Sequence, residues 1–275
     1  MSEPLDVPLR ELMREVDGRV VAADFPRAMI ASPVAPIFEE PRISSVQISQ
    51  LLGGHEVELL EERDGWWCVR GRDRYEGWMH RGYLHLGRSS TERHRTATRL
   101  SLGCIVERRG GRRALPLGAL LEDDDHLSSG EAVDLDRQAE RFPREANAIT
   151  RTARRYFEGT SYLWGGVTPW GADCSGLVQS SFALHGVQLP RDAWQQAREG
   201  SAGEASPLDA REGDLLFFSD RDDHHITHVA ISLGDAAIVH LALGRGGFGV
   251  ERLRDASDGY VATLLSRFRV ARRVL

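Results

Sequence analysis

The residues with the most chemical potential in this chain are Cys174, His228 and His240. A thiol becomes a strong nucleophile once its proton is taken, and imidazole is the side chain suited to taking it near neutral pH. Cys174 stands in Asp173-Cys174-Ser175-Gly176. Ahead of it, Gly165, Gly166, Pro169 and Gly171 exclude a helix, and after it Leu177, Val178, Ser181, Phe182 and Leu184 fall on one side of a 3.6-residue period. The cysteine therefore opens a buried helix, where unpaired N–H groups and the macrodipole favour a thiolate and predict a lowered thiol pKa. Taken alone, it reads equally well as a small packing residue, as most free cysteines do.

The two histidines change that balance. Thr227 to Ser232 alternates like a strand, Gly234-Asp235 signals a turn, and Ala237 to His240 resumes the strand. His228 and His240 are centred on Gly234, so a hairpin folding there sets them directly opposite each other on one face. A thiol, a base and a group that orients the base make up the parts of a nucleophilic dyad with its helper. His224, His225 and His228 also cluster as metal ligands do. HxxxH ligation needs a helix, however, and the alternation after Thr227 argues strand, so no metal and no cofactor is assigned.

The elements that must hold these residues can be read outward from them. Ala146, Ile149, Ala153, Tyr156 and Phe157 make an apolar helical face that Gly159 can cap. Strands follow at 214–218, 228–233, 236–242 and about 267–270, so residues 141–275 read as an α+β domain with helices first and an antiparallel sheet after. Residues 28–87 carry five short strands between turn signals, the pattern of a small barrel. Residues 88–140 hold a strand pair about Gly110-Gly111 and read as a second, degenerate barrel. In residues 1–27, Leu5, Leu9, Leu12 and Val16 lie on one helical face. Cys68 and Cys104 fall within strands as packing residues.

Composition excludes several classes of function. The chain has 275 residues, 35 basic against 41 acidic, for a net charge of −6, and every basic residue outside the histidines is arginine. The arginines are scattered with no basic stripe interleaved with aromatics, so nucleic acid is not an expected partner. No run of eighteen apolar residues is present, so no membrane span is expected. The acidic N-terminal stretch lacks a basic segment followed by an apolar one, which argues against a signal peptide. Three widely spaced cysteines suit free thiols in a reducing compartment. A cytoplasmic location follows as an expectation. Asp123-Asp124-Asp125 reads as a solvated loop.

Six segments, taken together, resemble the NlpC-type cell-wall cysteine peptidases, which have a papain-like fold. They are YLWGG (162–166), DCSGLVQ (173–179), LPRDAWQQA (189–197), GDLLFF (213–218), ITHVAISLG (226–234) and IVHLA (238–242). The order DGWW-V then Y-GW in residues 64–78 resembles bacterial SH3-like domains. The resemblance implies a papain-like domain preceded by one or two SH3-like β-barrels, with Cys174 as nucleophile, His228 as base and His240 as its orienting group. It also implies that Tyr162 contributes to the oxyanion site, although Tyr162 reads equally as an aromatic packed on the Gly-rich loop.

The branch with N-terminal SH3-like domains resembles γ-D-glutamyl-L-diamino-acid endopeptidases, which recycle muropeptides bearing a free L-Ala amine. In that branch Asp173, Ser175 and Tyr75 are expected to grip the amine, and Trp164 and Asp192 are expected to line the substrate site. The residues also admit plainer roles: helix capping for Asp173 and Ser175, barrel packing for Tyr75. Relatives use an acidic barrel residue as well, for which Gln47 is the candidate position here. The expected partner is a peptidoglycan-derived muropeptide, L-Ala-γ-D-Glu-diamino acid. The alternatives are a non-catalytic peptidoglycan-binding module and an acyltransferase on the same scaffold.

Overall fold

The computed structural model describes residues 14–16, 19–21, 25–86, 97–108, 110–255 and 257–275. Strands β1 (Arg14–Val16) and β2 (Arg19–Val21) pair antiparallel. The helix expected through Val16 is corrected there, and Leu5, Leu9 and Leu12 lie outside the described residues. The sequence signal that outweighs the helical period is Asp17-Gly18, a dipeptide favoured in tight hairpins.

The first barrel runs through β3 (Arg27–Ile30), β4 (Val34–Phe38), β5 (Gln47–Leu52), β6 (Glu56–Arg63), β7 (Trp66–Arg70), β8 (Glu76–His80) and β9 (Leu84–Leu86). These strands form one sheet in the order β5-β4-β8-β7-β6-β3-β9, and strand alternation buries Ile30, Ile37, Val57, Val69 and Met79 inside it. A second unit follows in β10 (Arg99–Arg108), β11 (Gly111–Leu115), β12 (Leu120–Leu121) and β13 (His126–Asp134). Strand β10 is central, pairing with the other three, and Gly110 makes the expected turn with φ +76. Cys104, Val106, Leu115, Ala119 and Leu121 form its small core. Leu100, Leu102 and Leu117 join the core of the next unit instead.

That third unit contains α1 (Gln138–Arg141), α2 (Ala146–Phe157), β14 (Val167–Thr168), β15 (Gly171–Ala172), α3 (Cys174–Leu184) and α4 (Ala193–Gln196). It continues with β16 (Ser201–Ala202), β17 (Leu215–Phe218), β18 (His228–Gly234), β19 (Ala237–Ala242), β20 (Gly247–Arg252), α5 (Gly259–Ser266) and β21 (Phe268–Arg273). Six strands make an antiparallel sheet in the order β16-β21-β17-β18-β19-β20. The period of two sorts its side chains between two cores. Leu215, Phe217, Val229, Ile231, Val239 and Leu241 face α2 and α3, while Leu216, Phe218, Ala230 and Ile238 pack towards α5. Helix α3 is apolar nearly all round because it lies between α2 and the sheet, with Leu177, Val178 and Phe182 wholly buried. Truncating such a phenylalanine costs about 3–5 kcal/mol. The core therefore fixes the helix that carries Cys174 at its first turn.

Candidate active site

Asp173 is the N-cap of α3, accepting from the Gly176 N–H at 2.7 Å. The loop before it is held close to the helix. A Cβ on Gly176 would lie 2.1 Å from the Gly166 carbonyl oxygen, so only glycine fits where the Gly-rich loop crosses the helix start. The helix-capping role of Asp173 is thus present, and the same carboxylate does more. It accepts from the Gly165 N–H at 2.9 Å and from the Ser175 hydroxyl at 3.1 Å. Arg191 grips it with both terminal nitrogens, Nη2 to Oδ2 at 2.6 Å and Nη1 to Oδ1 at 3.1 Å.

Arg191 was not among the residues singled out by sequence, yet it is 1% exposed and central to the site. Besides the two bonds to Asp173, it donates to Ser175 Oγ at 2.8 Å and, from Nε, to Ser49 Oγ of the barrel at 3.0 Å. The bidentate pair neutralises Asp173. Arg191 thus already occupies the carboxylate that the resemblance implies grips the substrate amine. The only sequence signal was an arginine beside the cleft aspartate in Pro190-Arg191-Asp192, and charge in that segment reads by default as solvated.

His228 opens β18 and His240 lies inside β19, where it is completely buried. His228 Nε2 and His240 Nδ1 are 2.9 Å apart, with ring centroids at 5.0 Å. The shared face is as expected, but the register is not directly opposed. Ile231 pairs with Val239, a bulge follows Ser232, and the turn is made by Asp235 and Ala236 at positive φ. The hairpin thus folds one residue later than Gly234, which leaves the two imidazoles diagonal, the arrangement that suits a ring-to-ring hydrogen bond.

The thiol departs from the sequence-based expectation more sharply. Burial pushes Cys174 up, to about 12, and Asp173 adds to the rise; the N–H groups of Val229 and Ser175 and the Arg191 charge oppose it without prevailing. Burial likewise pushes His228 down to about 3, with His240 a lesser cause. The resting pair is neutral thiol and neutral imidazole. Helix-end stabilisation is real, but desolvation in this tight site exceeds it.

Cys174 and His228 line one cleft of about 860 Å³, together with Tyr162, Trp164, Asp173, Ser175, Tyr75 and Asp192. The eight residues expected at the site from sequence with an open face thus share one cavity, while His240 sits behind His228. Tyr162 is half-buried, and burial above all holds its phenol protonated, hence a donor. Trp164 keeps its indole exposed, and its carbonyl accepts from Gln47 Nε2 at 3.0 Å. Gln47 therefore ties the barrel to the Gly-rich loop. Tyr75 reaches across the same junction and donates to Asp192 Oδ1 at 3.3 Å, while Trp194 Nε1 donates to Oδ2 at 3.2 Å. Burial raises the Asp192 pKa. Among the described residues Asp192 has no ion pair, and no group of ligating side chains there could hold a metal.

A papain-like arrangement of this kind, closed on one side by a barrel, defines a class. Comparison with known proteins places it further. Residues 159–265 match the NlpC/P60 family and residues 33–85 match the bacterial SH3 domain. The chain therefore carries an NlpC/P60 domain behind a bacterial SH3 domain. It is 37% identical over 114 residues to the γ-D-glutamyl-L-lysine dipeptidyl-peptidase of Bacillus subtilis, spanning 37% of this chain and 38% of that relative's length. It is 29% identical over 264 residues to the dipeptidyl-peptidase 6 of Lysinibacillus sphaericus, covering 85% of this chain and 94% of the relative. A crystal structure of an NlpC/P60 family protein from Bacillus cereus shares the fold, with TM-score 0.72 and 20% identity over 90% of this chain and 99% of the other.

Proposed function

We propose that this protein is a cysteine peptidase that hydrolyses the γ-D-glutamyl–diamino acid amide bond of peptidoglycan stem peptides bearing a free N-terminal L-Ala. The observation that carries the reading is Asp192, a half-buried carboxylate without a cationic partner among the described residues, set in the cleft of Cys174 and held by Tyr75 from the barrel. Such a group favours an ammonium ion. With Asp173 already neutralised by Arg191, Asp192 is the counterion for the L-Ala amine, and the barrel closes the cleft beyond it.

In this mechanism the Cys174 sulfur attacks the γ-carbonyl carbon while the thiol proton passes to His228. The carbonyl electrons move to oxygen, which backbone N–H groups at the start of α3 and the Tyr162 hydroxyl stabilise. His228 returns the proton to the departing amine. Water, deprotonated by the same imidazole, then cleaves the thioester and restores the thiol. Action on imported fragments in the cytoplasm, as part of wall-peptide recycling, belongs to the same proposal. Cell fractionation with an antibody to the intact chain tests it, and enrichment outside the membrane contradicts it.

Two expected results follow from the site. N-acetylation of the tripeptide, which removes the ammonium, lowers kcat/KM by on the order of 10- to 100-fold. Asp192→Asn loses the same preference while cleaving the acetylated peptide at near the wild-type rate. Equal rates on free and acetylated peptides in the wild type contradict the assignment. The second result concerns pH. Catalysis needs neutral His228, which is protonated below its pKa, and since burial lowers that pKa the acid limb lies well below 6.5. A kcat/KM profile from pH 4 to 8 should therefore show no half-fall near 6.5, any limb belonging to the coupled pair; a half-fall at pH 6.5 contradicts the neutral resting state.

A further inference from the structure

If His240 orients His228, something must determine which nitrogen of His240 carries its proton. Strand β20 supplies that group. The turn after β19 closes at Gly246, with φ +73, and aligns His240 with Gly249 and Ile238 with Glu251. Because Gly249 has no side chain, the carboxylate two residues on crosses diagonally, and Glu251 Oε1 lies 3.4 Å from His240 Nε2. A Cβ at position 249 would sit 3.4 Å from His240 Nε2 and 3.2 Å from Glu251 Oε1, tight against both partners.

Glu251 is 6% exposed and firmly held. Arg245 binds it with two donors, Nε to Oε1 at 2.8 Å and Nη2 to Oε2 at 2.9 Å. Arg245 also donates to Asp258 Oδ2 at 2.5 Å and lies over the Tyr260 ring at 4.3 Å. Asp258 in turn caps α5 through the Tyr260 N–H at 2.8 Å, and the Tyr260 ring meets His240 edge-on at 6.1 Å. The bond to His240, with Arg245 beside it, keeps Glu251 ionised, down to about 2.

We propose that Glu251 is a positioning residue that selects the tautomer of both histidines. The inference rests on the peptidase reading for its consequence, though not for its geometry. An ionised carboxylate can only accept, so His240 carries its proton on Nε2. In neutral His240 the Nδ1 is then a bare acceptor, and His228, 2.9 Å away, donates to it from Nε2. That leaves His228 Nδ1 with a lone pair, the state required to take the thiol proton. Once His228 is charged, its Nε2–H bond to His240 is retained and the new positive charge lies one ring from Glu251. Without the carboxylate, His240 is free to hold its proton on Nδ1 and donate to His228 Nε2, which puts the His228 proton on Nδ1 and blocks it as a base.

The test begins with the unaltered protein, labelled with 15N-histidine and examined without substrate at pH 7.5. His228 and His240 are both expected to be protonated at Nε2, assigned by loss of signals in His228→Gln and His240→Gln. Glu251→Gln, whose amide can turn its NH2 to His240, is expected to shift protonation towards Nδ1 and to lower kcat by about 10- to 100-fold with KM little changed. Gly249→Ala should do the same more mildly. Wild-type His240 protonated at Nδ1, or a Glu251→Gln protein with unchanged tautomers and full kcat, overturns the proposal. If the tautomers are as stated but no tripeptide is cleaved, the assignment to Glu251 stands and the peptidase reading falls.

Discussion

Replacing Cys174 by alanine is expected to lower turnover of the tripeptide by at least about 10³-fold while leaving the fold intact. The side chain is small and buried, and alanine deletes only the sulfur from a well-packed first turn. Among the described residues neither Cys68 nor Cys104 shares the cleft with His228; Cys68 is half-buried in β7, and Cys104 packs beside the Ser101 hydroxyl at 3.3 Å. Their substitution by alanine should leave kcat unchanged. Because the resting Cys174 thiol is protonated, its alkylation by iodoacetamide depends on His228 taking the proton. His228→Ala should therefore slow labelling along with turnover, and an equally reactive Cys174 in that variant contradicts the neutral pair.

The largest expected effect on stability comes from Arg191→Met. The guanidinium and the Asp173 carboxylate are 1% and 7% exposed, so removing one leaves the other buried and uncompensated. Breaking such a pair costs about 3–5 kcal/mol. That corresponds to a fall in thermal midpoint of at least roughly 6 °C. The same change also loosens the barrel at Ser49, next to the cleft. Asp173→Asn combined with Arg191→Met should recover much of the loss, since the double variant leaves no buried charge. A single variant as stable as wild type would show that the pair is not the tie that the geometry indicates.

Much of this was legible because the site is built from local patterns. Glycines ahead of Cys174 and apolar spacing after it placed the cysteine at a helix start, and alternation around His228 and His240 placed both on one sheet face. What stayed hidden depends on long-range contacts. The thiol's resting state is set by how completely the fold removes water from it, which no spacing encodes, so a helix-end argument gave the wrong direction. Arg191 and Ser49 meet across 142 residues of sequence. Strand β20 was missed because Gly247-Phe248-Gly249 lowers its strand signal, and with it went Glu251. Yet Gly249 is the reason Glu251 can reach His240, so the residue that weakened the pattern is part of how the site is assembled.

The most direct measurement is mass spectrometry of L-Ala-γ-D-Glu-diaminopimelate after incubation with the wild-type protein and with Cys174→Ala, with and without an added amine acceptor. The account predicts release of L-Ala-γ-D-Glu and free diaminopimelate by the wild type only, with no adduct to the acceptor amine. An intact tripeptide under conditions where the protein is folded, the same products from Cys174→Ala, or transfer of the dipeptide to the acceptor in place of hydrolysis would contradict it.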